Sequence, residues 1–168
     1  MKRLKYLFMA LVMVICMLGS SIPVSASNYS KGKAIMSEFY TDNITTSYIG
    51  LSNITDAPIT VTVTLYDNDG SLIKDDNNIN TGRVRGFYLI NYSDQATDAT
   101  ATFIINPHCT GFVALAPTTD AHYGYGVVQW EQNSNVLQGL VGVGNKVVNS
   151  GTNNPSQLYI PINNGLPF

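Results

Sequence analysis

The sequence is poor in cysteine, histidine and charge. Of its 168 residues, two are cysteine, two are histidine and 12% are charged. Cys16 lies in an N-terminal segment that we expect to be removed, so the mature chain keeps Cys109 alone and forms no internal disulfide. Cys is among the most often buried residue types, and Cys109 adjoins strand-like sequence. We therefore expect a buried thiol, with pairing between chains as the alternative.

Sets of catalytic or metal-binding residues are equally scarce. His108 directly precedes Cys109, and neighbours on an extended segment point to opposite sides, so the two cannot form a thiol-base dyad in a strand. Two histidines and one mature cysteine assemble neither a zinc site nor a triad from local spacing, and no Gly-x-Ser-x-Gly motif is present. We expect no enzyme, no cofactor and no metal; a hydrolase built from distant residues is the remaining enzymatic alternative.

The charge balance excludes two classes of partner. The chain has 9 basic and 11 acidic residues, and three of the basic ones lie within its first five positions, which leaves a mature net charge of −5. An acidic chain without a basic patch is a poor match for nucleic acid or for an anionic membrane surface. We expect neither as a partner.

The N-terminus has the pattern of a cleavable signal peptide. Three basic residues precede an apolar run over 7–18, and Pro23 and small residues follow it, which predicts cleavage after Ala26. The run is shorter than the roughly 20 residues of a membrane span. Cys16 follows Ile15 in mid-run, so no lipid anchor is expected. The short basic start and lean cysteine use are typical of bacterial export, and we expect a secreted or cell-surface protein with no membrane contact after cleavage.

The remaining residues, 27–168, predict one all-β domain. Their number suits a single core, and alternation of apolar and polar residues dominates, most clearly over 59–66. We predict a single antiparallel β-sandwich, immunoglobulin-like or jelly-roll-like, of about nine strands. The strand candidates are 34–40, 47–52, 59–66, 71–73, 85–91, 99–105, 110–116, 125–131, 136–148 and 158–162.

The same alternation predicts the core and the loops. Polar runs without periodicity predict loops at 27–33, 75–82 and 149–156, and the C-terminal residues, with two prolines, are expected to pack along an edge of the sandwich. The predicted core residues are Ile49, Leu51, Val61, Val63, Leu65, Phe103, Ile105, Phe112, Val127 and Val141.

An acidic cluster adjoins the clearest strand. Asp67 and Asp69 lie in the turn sequence that ends at Gly70, and Asp75 and Asp76 follow shortly after. Carboxylates from adjacent hairpin residues could hold calcium, but the spacing is wrong for an EF-hand, and turn chemistry explains Asp67 to Gly70 without a metal. The sequence alone is compatible both with a calcium site and with a simple turn.

The hairpin sequences carry a family resemblance. Two segments and the loop between them resemble the opening hairpins of bacterial extracellular immunoglobulin-like modules. They are Tyr48-Ile49-Gly50-Leu51-Ser52-Asn53, a loop ending in Pro58, and Val61 to Gly70. This order is also similar to the small β-sandwich of the sensory rhodopsin transducer family, with a looser match through 106–111 and 124–130. The resemblance spans about half of the mature chain and implies an architecture without an activity. The export signal departs from the transducer family, which is intracellular.

Surface aromatics provide one candidate binding site. Tyr123, Tyr125 and Trp130 lie within one hairpin-like region with amide side chains nearby. Aromatic planes flanked by amides can stack on sugar rings, and aromatics are also ordinary strand residues. Trp130 has the opposite parity to the two tyrosines, so the three form one platform only if a bulge intervenes.

Two functions follow as expectations. The first is a secreted non-catalytic surface or extracellular-matrix protein that acts through contacts with other surface proteins or through self-association. Edge strands rich in Thr, Val and Tyr offer unpaired backbone groups, and between Gly82 and Phe168 the only lysine is Lys146. The alternative is a carbohydrate-binding module whose ligand is a glycan bound by Tyr123, Tyr125 or Trp130.

Overall fold

The protein is a two-sheet antiparallel β-sandwich in a computed structural model that describes residues 29–73, 84–87, 89–94, 100–117, 119–149 and 156–168. The predicted signal peptide, Asp75, Asp76 and most of the predicted loops at 75–82 and 149–156 lie outside these residues. Within them, a three-residue 3-10 turn at Asn163–Gly165 is the sole helical element. The predicted fold class is confirmed.

Ten strands are described. Sheet A contains β1 (Ser30–Thr41), β8 (His122–Gln132), β3 (Ile59–Asp67), β6 (Thr100–Ile105) and β5 (Ile90–Asp94), in that spatial order. Sheet B contains β10 (Ser156–Pro161), β9 (Leu140–Val148), β2 (Thr45–Asn53), β7 (Thr110–Leu115) and β4 (Val84–Phe87). Every pairing is antiparallel. The order β1-β8-β3-β6 facing β2-β7-β4 is that of a jelly roll, and it differs from the ABED and CFG sheets of an immunoglobulin domain.

The core lies between the two sheets. Strand β3 shows why: its alternation buries Ile59, Val61, Val63 and Leu65 at 0–1% exposure, while the threonines between them lie on the outer face of sheet A. The C-terminal residues close one side, because the Phe168 carbonyl accepts hydrogen bonds from the amides of Gly139 and Leu140. An antiparallel bridge also joins Met36 to Ile162, so the predicted packing of the C-terminus along an edge is confirmed.

Most of the predicted core is confirmed. Ile49, Leu51, Phe103 and Ile105 are buried together with the β3 residues. Val127 is buried as well, but it lies outside the central cluster, on the face of β8 that Tyr125 shares.

The prediction that Phe112 and Val141 belong to the core was wrong. Phe112 is 37% exposed, and Val141 is half-buried. In β7 the residues that point inward are Gly111, Val113 and Leu115, so Phe112 lies on the outer face of sheet B. The run Phe112-Val113-Ala114-Leu115 is apolar throughout and therefore does not reveal which parity faces the core.

Several strand bounds also needed correction. Strand β1 starts at Ser30, within the predicted loop 27–33, and the predicted strand 85–91 is two strands that belong to different sheets. The segment 136–139 precedes β9 as a loop. The turn at Asp67–Gly70 is present, with Gly70 at φ 83°, but its predicted return strand 71–73 contributes a single bridge between Tyr66 and Leu72. Strand β3 instead pairs with β6 and β8 along its length.

Candidate functional site

The two tyrosines of the predicted aromatic site lie on the outer face of sheet A. Tyr123 is 52% exposed and Tyr125 is 38% exposed. The ring of Tyr125 stacks on that of Tyr66 of β3, with ring centroids 4.9 Å apart and an interplanar angle of 10°. One face of each ring in this pair is therefore covered by the other ring. Tyr123 is not in this stack and is the more exposed of the two predicted tyrosines.

Trp130 is not part of that surface. It is 2% exposed and belongs to the core, where it lies beside Gly32 of β1 in the sheet register. A Cβ atom at Gly32 would lie 2.2 Å from the indole Nε1, so the glycine leaves the room that the indole fills. The three aromatics do not come together, because strand parity places Trp130 inside, and the expectation that Trp130 could stack on a sugar is corrected.

The described acidic residues make hydrogen bonds with nearby groups. Asp67 Oδ2 lies 2.5 Å from Nδ1 of His122, and Asp69 accepts hydrogen bonds from both the amide and the hydroxyl of Ser71. Among the described residues, no group of three or more His, Cys, Asp or Glu side chains could hold a metal ion. Asp75 and Asp76 lie outside this description.

His108 and Cys109 lie in the connection between β6 and β7 and not in a strand. His108 has φ 55°, and the Cys109 amide donates to the carbonyl of Asn106 at 3.2 Å, which makes a tight turn. The Cys109 thiol is exposed, so the expectation of a buried thiol was wrong: a residue in a surface turn lacks the covering that a strand residue receives from the facing sheet. His108 Nε2 pairs with Asp56 at 2.9 Å.

The four edge strands differ in how they are guarded. Strand β1 carries exposed Lys31 and Lys33 and an irregular register between Met36 and Phe39. Strand β5 also has an irregular register, and β4 is four residues long and carries Arg85. Charges, bulges and short length are the devices that keep edge strands from pairing with other chains.

Strand β10 has fewer of these devices. Its six residues pair in unbroken register with β9 and include no charged side chain. Leu158 is 54% exposed and Tyr159 is 65% exposed. Pro161, at its C-terminal end, is its one residue without an N–H. Lys146 of the neighbouring β9 does not guard this edge, because its Nζ lies 2.7 Å from Glu38 of β1.

The outer face of sheet B contains a groove of about 600 Å³ that crosses four strands. Its floor is Gly50 of β2, which lies between Phe112 of β7 and Val143 of β9 in the register. The next row holds Asn145 of β9 between Tyr48 and Tyr159, which lie on the neighbouring strands β2 and β10. Within the described part of the chain, eight residues line the groove, and all of them are uncharged.

The sequence shows no local sign of this groove. Tyr48, Phe112, Asn145 and Tyr159 are spread over more than a hundred residues, and only the strand order of sheet B brings them together. One signal was available: Tyr48 and Gly50 alternate with the core residues Ile49 and Leu51, which places them on the opposite face of the strand.

The outer face of sheet A has a different chemistry. Its shallow depression of about 540 Å³ is lined by Lys31, Lys33 and Glu131, by threonine and glutamine side chains, and by Gly32 and the 2% exposed Trp130. The described lining of the depression on sheet A is therefore mainly charged and polar, whereas that of the groove on sheet B is uncharged and partly aromatic.

Comparison with known proteins gives no functional assignment. No protein-family model and no curated protein matches the chain. Among solved structures, it is similar to Thermotoga maritima 1070, at 14% identity and a TM-score of 0.46, with 77% of this chain and 90% of that chain covered. It is also similar to a chain described under Bacillus endospore appendages that form disulfide-linked pili, at 13% identity and a TM-score of 0.23, with 69% of this chain and 100% of that chain covered. Within the part of the chain that the structure describes, no helix has the length and hydropathy of a membrane span.

Proposed function

We propose that the mature chain is a secreted, non-catalytic surface or matrix protein that associates with other copies of itself through the edge of β10 that pairs with no other described strand. The observation that carries this proposal is the combination found in that strand: it ends sheet B, it is uncharged, and two of its large side chains are exposed. An exposed, regular and apolar edge is a template for adding a strand from another chain.

The other edges favour β10 as the site of association. The lysines and the irregular register of β1, the irregular register of β5 and the short length of β4 each oppose strand addition. Contact through β10 would also bring Tyr159 and its neighbours on sheet B toward the partner. Burial of Leu158 in such a contact would add apolar stabilisation to the backbone hydrogen bonds.

The test is a charge placed on the edge. Light scattering of the mature protein between micromolar and millimolar concentration is expected to show oligomers or fibres, and Leu158→Lys is expected to leave monomers. Leu137→Lys is the matched control, because Leu137 is 97% exposed in the loop before β9. A wild-type protein that stays monomeric over this range, or a Leu158→Lys variant that associates as the wild type does, would overturn the proposal.

A further inference from the structure

We infer that the groove on the outer face of sheet B is a binding site for a neutral oligosaccharide. This site is distinct from Tyr123 and Tyr125, which lie on the other sheet. It does not depend on self-association through β10, because two of its aromatic residues, Tyr48 and Phe112, lie on the interior strands β2 and β7 of sheet B.

The aromatic residues define the shape of the site. Strand β9 lies between Tyr48 and Tyr159, which pair with Asn145 from its two sides. The two tyrosines are therefore two strand spacings apart, about 10 Å. Phe112 packs over Gly50: a Cβ atom there would lie 3.0 Å from the Phe112 ring carbon Cε1 and 3.6 Å from Val143 Cγ1. The missing side chain leaves room for the Phe112 ring to lie over β2, so that a ligand in the groove meets this ring in one row and Tyr48 and Tyr159 in the next.

The polar groups have the chemistry that hydroxyl groups require. Asn145 Oδ1 is buried and has no hydrogen-bond partner within the described residues, and an acceptor shielded from water without a partner is destabilising. Asn145 lines the groove, and because the terminal torsion of an asparagine side chain is soft, its amide can reorient toward a ligand there. Gln157 lies at the rim and accepts a hydrogen bond from the Tyr159 hydroxyl at 3.2 Å, which orients both groups.

The absence of charge in the described lining selects among ligands. The eight described residues that line the groove are neutral, so an anionic sugar, a phosphate or a charged peptide would lose its hydration without gaining an ion pair from them. A purely apolar partner would leave the Asn145 acceptor unpaired. A neutral sugar presents C–H faces to aromatic rings and hydroxyl groups to amides, and it therefore matches both parts of the lining.

Binding is measured by isothermal titration calorimetry of the mature protein with cellohexaose, chitohexaose, xylohexaose and mannohexaose, and with heparin as the anionic comparison. We expect at least one neutral hexasaccharide to bind and heparin not to bind in the groove. Tyr48→Ala, Phe112→Ala and Asn145→Ala should each weaken the affinity at least tenfold. Tyr123→Ala, on the opposite sheet, is the matched control and should leave the affinity unchanged.

Three results would overturn the inference. The first is that none of the four neutral hexasaccharides binds at millimolar concentration. The second is that binding is lost in Tyr123→Ala and kept in Tyr48→Ala. The third is that Tyr48→Ala and Phe112→Ala dissociate oligomers while no sugar binds, which would make the groove a protein interface. Circular dichroism of each variant establishes that it is folded, and Leu158→Lys should bind sugar as the wild type does, which separates this site from the edge of β10.

Discussion

The imidazole of His122 at the start of β8 holds the carboxylate of Asp67 at the end of β3, with 2.5 Å between Nδ1 and Oδ2. Both side chains are about one-fifth exposed. The pair connects two neighbouring strands of sheet A at the end where the Asp67–Gly70 turn leaves the sandwich. Burial by itself raises the pKa of Asp67, but the hydrogen bonds from His122 and from backbone amides outweigh it, so the pKa lies below the ordinary value of 3.8.

This lowered pKa predicts a loss of stability in acid. A carboxyl group with a lower pKa in the folded state stabilises the fold above its unfolded pKa, near 4, and this contribution disappears as the pH falls through the folded pKa. Two further carboxyl groups have lowered pKa values. Asp42 accepts hydrogen bonds from the Ile44 and Thr45 amides, and Asp69 accepts hydrogen bonds from Ser71. Their protonation in acid lowers the stability of the fold in the same way. We expect the free energy of unfolding, measured with urea, to fall as the pH is lowered below about 4.

Asp67→Asn isolates the contribution of the pair. The variant should lower the free energy of unfolding by about 1 kcal/mol at pH 7 and by progressively less as the pH falls through the lowered pKa of Asp67, because the protonated wild type has lost the charged hydrogen bond. An Asp67→Asn protein whose stability falls with acid as steeply as that of the wild type would contradict this account.

The contact between Gly32 and Trp130 predicts a steric effect. Gly32→Ala would place a methyl group 2.2 Å from the buried indole nitrogen, and overpacking of this kind lowers stability by about 1–3 kcal/mol. Lys33→Ala, at the next and exposed position of β1, should change the free energy of unfolding by less than about 0.5 kcal/mol. Thermal or urea denaturation of the two variants measures the difference, and equal effects would contradict the packing described for Trp130.

Two phenylalanines test which faces form the core. Phe103 is 1% exposed on the inner face of β6, and Phe112 is 37% exposed on the outer face of β7. Phe103→Ala should lower the free energy of unfolding by about 3–5 kcal/mol, whereas Phe112→Ala should cost less, about 1–2 kcal/mol, since more than a third of its side chain already contacts water. Urea denaturation compares them directly, and a reversed order would show that β7 has the opposite parity.

The exposed thiol predicts reactivity in the native state. Because Cys109 is exposed in the turn before β7, a maleimide reagent should modify the folded mature protein to completion without denaturant. Cys109→Ser is the control for other reactive groups. A thiol that reacts only after urea is added would show that the turn is covered in solution.

The export signal predicts the N-terminus of the mature protein. Cleavage after Ala26 should yield a protein that begins at Ser27 and is found outside the cell. Mass spectrometry of the extracellular fraction measures this, with Ala26→Pro as a variant that should block the cut. An intact Met1 terminus in the membrane fraction would contradict the prediction.

The sequence by itself determined the fold class and much of the core. The strict alternation over 59–66 places four apolar side chains on one face, and the backbone of a strand has a period of two whatever its neighbours are. Asp67 to Gly70 likewise form the turn that their own chemistry favours, with Gly70 at φ 83°. The opposite parity of Trp130 and the two tyrosines was also readable from residue spacing alone.

The tertiary structure alone decided which strands are neighbours and which apolar faces stay open. The parity of Phe112 depends on the facing sheet, because its segment is apolar on both sides. The separation of 85–91 into strands of two sheets and the position of β10 at an edge depend on how the whole chain packs, as does the approach of Tyr48 to Phe112 and Asn145. Local alternation acts within one strand, whereas strand order is set by the burial of both sheets at once, and that is why the groove on sheet B could not be read from the sequence.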